Sequence, residues 1–210
     1  AYEKAMRDRN RLLKDQVTDA RWYGALEAQM VEAGTALAAK RQAALARLAE
    51  AQDGGSAFPR AELSLTGPDG EPELPIQDLA LALAEGRRRD MAAGRTLQGP
   101  HRSDLRAIYA SKGAEAGQCS TGEQKALLIG LVLAQARAVK AGAGVPPILL
   151  LDEVAAHLDR ARRKSLLEAL AALGSQSWMT GTDAQLFEAM VETGAIFHVE
   201  DSRISEVMED

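Results

Sequence analysis

The adjacent carboxylates Asp152-Glu153, directly after the apolar run Ile148-Leu149-Leu150-Leu151, are the residues of this chain best placed to do chemistry. A short apolar run ending in acids is how a buried parallel strand delivers carboxylates to the ligand edge of an α/β sheet. At such an edge Asp152 can hold a magnesium ion through water, while Glu153 orients or deprotonates a water that attacks a terminal phosphate. Upstream, Cys119-Ser120-Thr121-Gly122-Glu123-Gln124-Lys125 reads as a helix start made for anions. Ser120 and Glu123 fit the S-x-x-E capping box, and Gly122 lets a ligand approach the unpaired first amides of the helix. The chemistry these two segments suggest is phosphoryl transfer from a nucleotide; the alternative is a strand capped by solvated acids.

Other residues near these segments have weaker claims. Asp159 is a candidate ligand group and equally an ordinary N-cap for the helix expected after it. The hydroxyls of Thr180 and Thr182 can hydrogen-bond a phosphate or the attacking water but carry no positive charge. Asp183 more simply caps a following helix. His101, His157 and His198 have no metal-ligand spacing. No phosphate-cradling loop of the form G-x-x-x-x-G-K-[ST] is found; residues 34–40 come nearest but lack the second glycine and a hydroxyl after the lysine. The chain opens at Ala1, in mid-pattern for a helix, so it is expected to be a C-terminal portion of a longer protein.

The elements that must position these groups fall into two styles. Residues 1 to about 50 are helical in pattern, with Trp22, Leu26, Met30, Ala33, Leu37, Ala44 and Leu48 recurring at helical spacing. Gly24 and Gly34 weaken the propensity enough to allow a bend or break, so two or three helices in a hairpin-like arm are expected. Within 58–75 the alternation Ala61-Glu62-Leu63-Ser64-Leu65-Thr66 predicts a strand and Pro68-Asp69-Gly70 a turn. Residues 76–91 return to helical periodicity, with Gly94 as the stop. Beyond it the pattern alternates: strands over 105–109, 148–151, 177–180 and 195–199, and helices over 120–141, 160–173 and 184–191. That alternation argues for an α/β fold with helices on the faces of a sheet. The expected division is a helical arm over 1–95 and a catalytic part over 96–210.

Composition narrows the setting. A hydrophobic content of 46% suits a globular core, and no apolar run approaches the roughly 20 residues that span a bilayer, so no membrane is expected. A single cysteine, Cys119, excludes an internal disulfide framework and fits the reducing cytoplasm. The net charge of −5 argues against a wholly basic nucleic-acid-binding domain. Locally, however, Arg87, Arg88, Arg89, Arg95, Arg102, Arg106 and Lys112 stand against only Asp90 and Asp104. Of these, Arg87, Arg88, Arg89, Arg95 and Arg102 are the candidates for DNA contact, with a solvated helix face as the plainer explanation.

In motif order the chain resembles the ABC-type ATPases that include the SMC and RecF proteins: 119–125 looks like their signature motif and 148–153 like Walker B. Gly99-Pro100-His101-Arg102-Ser103-Asp104-Leu105, preceded by Gly94-Arg95-Thr96 and followed by Trp178-Met179-Thr180-Gly181-Thr182-Asp183, sharpens the resemblance to the RecF family of bacterial recombination repair. Residues 96–210 carry most of it; the arm matches more loosely through Arg9-Asn10-Arg11-Leu12-Leu13-Lys14 and Trp22. The resemblance implies the C-terminal half of an ABC/SMC-type P-loop ATPase head with an inserted, mostly helical arm, lacking Walker A. It implies ATP and Mg2+ as cofactors of the complete protein, with slow DNA-stimulated hydrolysis in a homodimer that forms on ATP. Ser120, Thr121, Gly122, Glu123 and Gln124 would meet the nucleotide held by the other protomer, Asp152 would serve magnesium and Glu153 the attacking water. Residues 154–159 look like the D-loop, bringing Asp159 across, and Thr180 or Thr182 stands where transporter-type relatives carry a phosphate-sensing histidine. Implied partners are gapped or single-strand/double-strand junction DNA, RecR and RecO, with loading of a recombinase as the outcome. From the incomplete sheet, a missing N-terminal segment is a further expected partner, with self-association or a separate chain as the open alternatives. Alternatives from the residues alone are another ABC-type ATPase, or a non-catalytic helical interaction module.

Overall fold

Residues 1–53, 57–154, 158–182, 187 and 194–206 are described by the structure, a computed structural model. Helix α1 (Tyr2–Lys14) turns Tyr2, Ala5, Arg9 and Leu13 inward at helical spacing. Helix α2 (Ala20–Ala51) runs unbroken for 32 residues and buries Tyr23, Glu27, Met30 and Gly34. This stripe lies one position away from the expected one at Trp22, Leu26 and Ala33, and Trp22 itself is 63% exposed. Two of the inward positions hold Glu27 and Gly34, which hydropathy assigns outward. Nor does Gly34 break the helix: it permits close approach, since a Cβ there would stand 3.0 Å from the Leu79 side chain.

A short 3-10 turn (Ile76–Asp78) leads into α3 (Leu79–Ala93), and Gly94 closes that helix in the left-handed conformation, φ 63°, as its position after the periodic run predicts. Leu79 and Leu83 of α3 pack with Tyr2, Ala5 and Met30 in a small apolar core.

Beside that core lies a buried charge cluster. Arg9 is wholly inaccessible; its Nε donates to Glu27 at 3.0 Å, one Nη to Asp90 at 2.7 Å and Thr96 Oγ1 at 2.8 Å, and the other to the Leu83 carbonyl at 3.0 Å. Arg87 donates twice more to Glu27, and both guanidinium groups lie over the Tyr23 ring. Burial would raise the Glu27 carboxyl, but the hydrogen bonds from Arg87 and Arg9 outweigh it and hold the group below its ordinary value. The same cluster reaches the 94–103 loop, where Thr96 donates through both N–H and Oγ1 to Asn10 Oδ1 and Leu97 N–H donates to Asp90. His101 is kept neutral by burial: its Nε2–H donates to the Thr96 carbonyl and its Nδ1 accepts from the Tyr2 hydroxyl, each at 3.1 Å. Gly99, at φ 128°, passes so close to Tyr2 that a Cβ would collide with the hydroxyl.

By contacts the chain forms two compact units, residues 1–47 with 63–107 and residues 48–62 with 108–210. The first therefore takes in 96–107, and the second takes in the end of α2, rather than meeting at one cut. Strands β1 (Ala61–Thr66), β2 (Asp104–Tyr109) and β3 (Ala114–Glu115) form a sheet in that order, with β2 and β3 antiparallel.

In the second unit, α4 (Thr121–Ala143) packs Ala126, Ile129, Leu133 and Ala136 against Leu149 of β4 (Leu149–Leu151) and against Leu166, Leu170 and Leu173 of α5 (Arg160–Leu173). By length and composition α4 is apolar enough to cross a bilayer. Its buried face instead makes it the central helix of this core. Strand β5 (Ser177–Met179) pairs with β4 in parallel, Leu149 opposite Ser177 and Leu151 opposite Met179. Phe197–Glu200 (β6) and Arg203–Glu206 (β7) make an antiparallel hairpin, where β7 had not been expected. The helix expected over 184–191 lies outside the described residues but for Phe187.

Removing Arg9 would strand the Glu27 and Asp90 carboxylates in a buried setting. Arg9→Ala is expected to cost about 3–5 kcal/mol, read as a lower urea midpoint. Since the folded pKa of Glu27 lies below its unfolded value, its contribution is complete above about pH 4.3 and is lost as pH falls through the folded value. Denaturation curves across the acid range should show a flatter pH slope in Glu27→Gln.

Candidate functional site

The site is built at the C-terminal ends of β4 and β5. A parallel pair brings the residue after Leu151 level with the residue after Met179, so Asp152 and Thr180 become neighbours. The Thr180 hydroxyl donates to Asp152 Oδ1 and accepts from the Glu153 N–H at 3.0 Å, while Thr180 N–H donates to the Leu151 carbonyl at 3.1 Å. Asp152 and Glu153 are both exposed. Glu153 adopts a left-handed backbone, φ 46°, an uncommon state for a residue with a side chain. Its carbonyl accepts from Lys125 Nζ at 2.9 Å, which ties the strand end to the first turns of α4.

At the start of α4, Ser120 is the N-cap and closes the capping box with Glu123, whose carboxylate accepts from the Ser120 N–H at 3.0 Å. Glu123 also pairs with Lys112, which lies over the Tyr109 ring. The Lys112 hydrogen bond first, and the Ser120 amide second, hold the Glu123 carboxyl down at about 2. Its negative charge is thus spent within the chain, and Glu123 shapes the helix start. Gln124 Nε2 donates to the Cys119 carbonyl at 2.9 Å and to the Gly117 carbonyl at 3.3 Å, bracing the approach. Ser120 and Thr121 remain exposed and Gly122 partly so.

Of the other expected site residues, Asp159 is the N-cap of α5, accepting from Arg162 N–H at 2.8 Å. Between it and Val154, residues 155–157 lie outside the described residues, as does Asp183. Thr182 is exposed, two residues past the strand-bridging Thr180. The five arginines lie in the first unit: Arg88, Arg89, Arg95 and Arg102 are exposed, whereas Arg87 is committed to Glu27. Sequence reasoning passed over the roles of Lys112 and Lys125. A signal for Lys125 existed, because a cation within the first turns of a helix opposes its dipole and calls for a local partner.

A cleft of about 800 Å3 opens near the far end of α4, lined in part by Arg137, Lys140, Ser165 and Glu168. Its lining includes none of Ser120, Asp152 or Glu153. Arg137 and Lys140 donate to the Ala51 and Leu173 carbonyls, the last residues of α2 and α5, and so neutralise helix ends.

A capped helix start tied to two carboxylates at a parallel strand end lies within a mixed helix-and-sheet fold of the α/β class. No family model matches the chain. Curated relatives do: it is 49% identical over 211 residues to the DNA replication and repair protein RecF of Rhizobium etli, 50% over 206 residues to that of Agrobacterium fabrum and 53% over 202 residues to that of Mesorhizobium japonicum. These matches take in 97%, 94% and 90% of the chain but 56%, 55% and 52% of the relatives. The chain is thus similar to RecF proteins along nearly all of its own length and spans about half of the length of those relatives. Its fold also matches solved structures of the recombination mediator protein RecF in the RecFOR pathway. The form with ATP gives a TM-score of 0.77 at 23% identity, over 99% of this chain and 57% of that one, and a second structure gives 0.74 at 22%.

One consequence is measurable without any ligand. In an NMR titration the Glu123 carboxyl should show a midpoint near 2, and Lys112→Met should move it up toward the ordinary value of about 4.3.

Proposed function

We propose that this chain is the signature and Walker B portion of a RecF-type ATPase that acts in DNA repair, with hydrolysis ending an ATP-bound dimer. The observation that carries this reading is the Thr180 hydroxyl shared between the Asp152 carboxylate and the Glu153 amide, which holds two acids at the ligand edge of a parallel pair. Asp152, an exposed carboxylate at the strand end, suits a hydrated magnesium ion whose shell water and phosphate oxygens would complete. When bound, the ion neutralises charge on the transferred phosphoryl group. Glu153 then orients the attacking water and takes its proton. Ser120, Thr121 and Gly122 present hydroxyls and backbone amides to the terminal phosphate of a nucleotide carried by the other protomer. Gln124 supports that turn, and Asp159 reaches across at the D-loop.

The chain has no phosphate-cradling loop, so the rest of the RecF length must hold the triphosphate. An exposed apolar face supports a location for that part. Leu150 and Trp178 on the outer face of β4 and β5 are 78% and 54% exposed, with Ile148 beside them at 64%, although parallel sheets are covered on both faces. We assign this face to the remaining segment of the protein, in the same or a separate polypeptide. DNA at gaps or strand junctions would meet Arg88, Arg89, Arg95 and Arg102, while RecR and RecO are the proposed protein partners and recombinase loading the proposed outcome, in the cytoplasm.

In the full-length protein, Glu153→Gln should form an ATP-dependent dimer that persists for hours by light scattering while the wild-type dimer decays; no effect of ATP in either would remove the ATPase reading. In a Trp22→Phe background, joining the chain to the remaining segment should shift Trp178 emission to the blue. Unchanged emission would place that segment elsewhere.

A further inference from the structure

Lys125 is out of place by local rules. It sits in the second turn of α4, just past the free amides of the helix start, where the dipole still disfavours an unpartnered cation. Its ammonium crosses instead to the Glu153 carbonyl at 2.9 Å. That carbonyl belongs to a residue in the left-handed backbone state, whose N–H is held from the other side by Thr180 at 3.0 Å. Glu153 is therefore gripped at both backbone ends, by β5 through Thr180 and by α4 through Lys125. A change at either peptide unit rotates the backbone that aims the Glu153 carboxylate. The helix that supplies Lys125 is the one whose exposed N-cap Ser120 and first residue Thr121 would, under the proposed function, meet the nucleotide. Movement of that helix start is carried to the Glu153 backbone through one side chain.

We propose that Lys125 is a positioning residue that couples the signature helix to the orientation of the Glu153 carboxylate, so that hydrolysis depends on how the helix start is engaged. The proposal rests on the assignment of Glu153 as the hydrolytic group. The Lys125 ammonium is committed to the Glu153 carbonyl, so its effect is expected on the rate of the chemical step rather than on nucleotide affinity. Arginine can donate to the same carbonyl, whereas methionine keeps the length and removes the donor.

The test uses the full-length protein, with Lys125→Met, Lys125→Arg and Glu153→Gln measured beside wild type for ATP affinity, ATP-dependent association and single-turnover hydrolysis. Lys125→Met should bind ATP and dimerise like wild type yet hydrolyse about ten-fold or more slowly, because small misplacements of a catalytic group carry penalties of this order. Lys125→Arg should recover much of the rate. Amide exchange in the peptide containing Glu153 should be faster in Lys125→Met, a readout that does not depend on turnover. A wild-type rate in Lys125→Met beside an inactive Glu153→Gln overturns the coupling alone. Equal loss of association and hydrolysis overturns it in favour of a structural role, and a wild-type rate in Glu153→Gln overturns the assignment of Glu153 and the proposal with it.

Discussion

Two parallel strands of three residues each, β4 and β5, set the geometry on which the site depends. A parallel pair cannot be closed by a hairpin; the chain must leave β4, cross over and return. Here the crossover includes α5, which packs Leu166, Leu170 and Leu173 against the apolar face of α4. That return brings Thr180 beside Asp152, and the same packing places the start of α4 within a lysine's reach of Glu153. Shifting the register by one residue would turn Leu149 out of the core and carry Thr180 away from the acids.

The polar groups of the site are held through backbone atoms more than through side-chain pairs. Thr180 serves the Glu153 amide, Lys125 its carbonyl and Gln124 the carbonyls of Gly117 and Cys119. Glu153 keeps its carboxylate exposed because its backbone carries the restraint. Glu123 shows the opposite use of an acid: with its charge satisfied by Lys112 and the Ser120 amide, it builds the helix start.

In the first unit a buried cluster plays the organising part. Arg9 joins α1 to Glu27 of α2, to Asp90 and Leu83 of α3 and to Thr96 in the loop beyond, with every guanidinium nitrogen engaged. A planar fork of donors can meet several acceptors in fixed directions, which a lysine cannot do. The Gly-Pro-His-Arg segment is anchored by the same loop through His101 and Tyr2, and this leaves Arg102 exposed at its end.

Much of this was legible in the residues. The strand at Ala61–Thr66, the helix at Arg160–Leu173, the stop at Gly94 and the capping box at Ser120 and Glu123 all follow from alternation, periodicity and cap chemistry, which are local properties of the chain. The pairing of two acids with an apolar run was equally local. The inward face of α2 was not, because Glu27 is buried only by virtue of two arginines distant in sequence, and Gly34 only because Leu79 approaches it. That Thr180 meets Asp152 depended on parallel register, and the reach of Lys125 to Glu153 on how α4 lies against β4. Sequence by itself determined the elements and the kinds of chemistry they could carry; tertiary structure alone decided which hydroxyl, lysine and carboxylate meet, since hydrogen bonds between residues far apart in the chain depend on packing and not on local propensity.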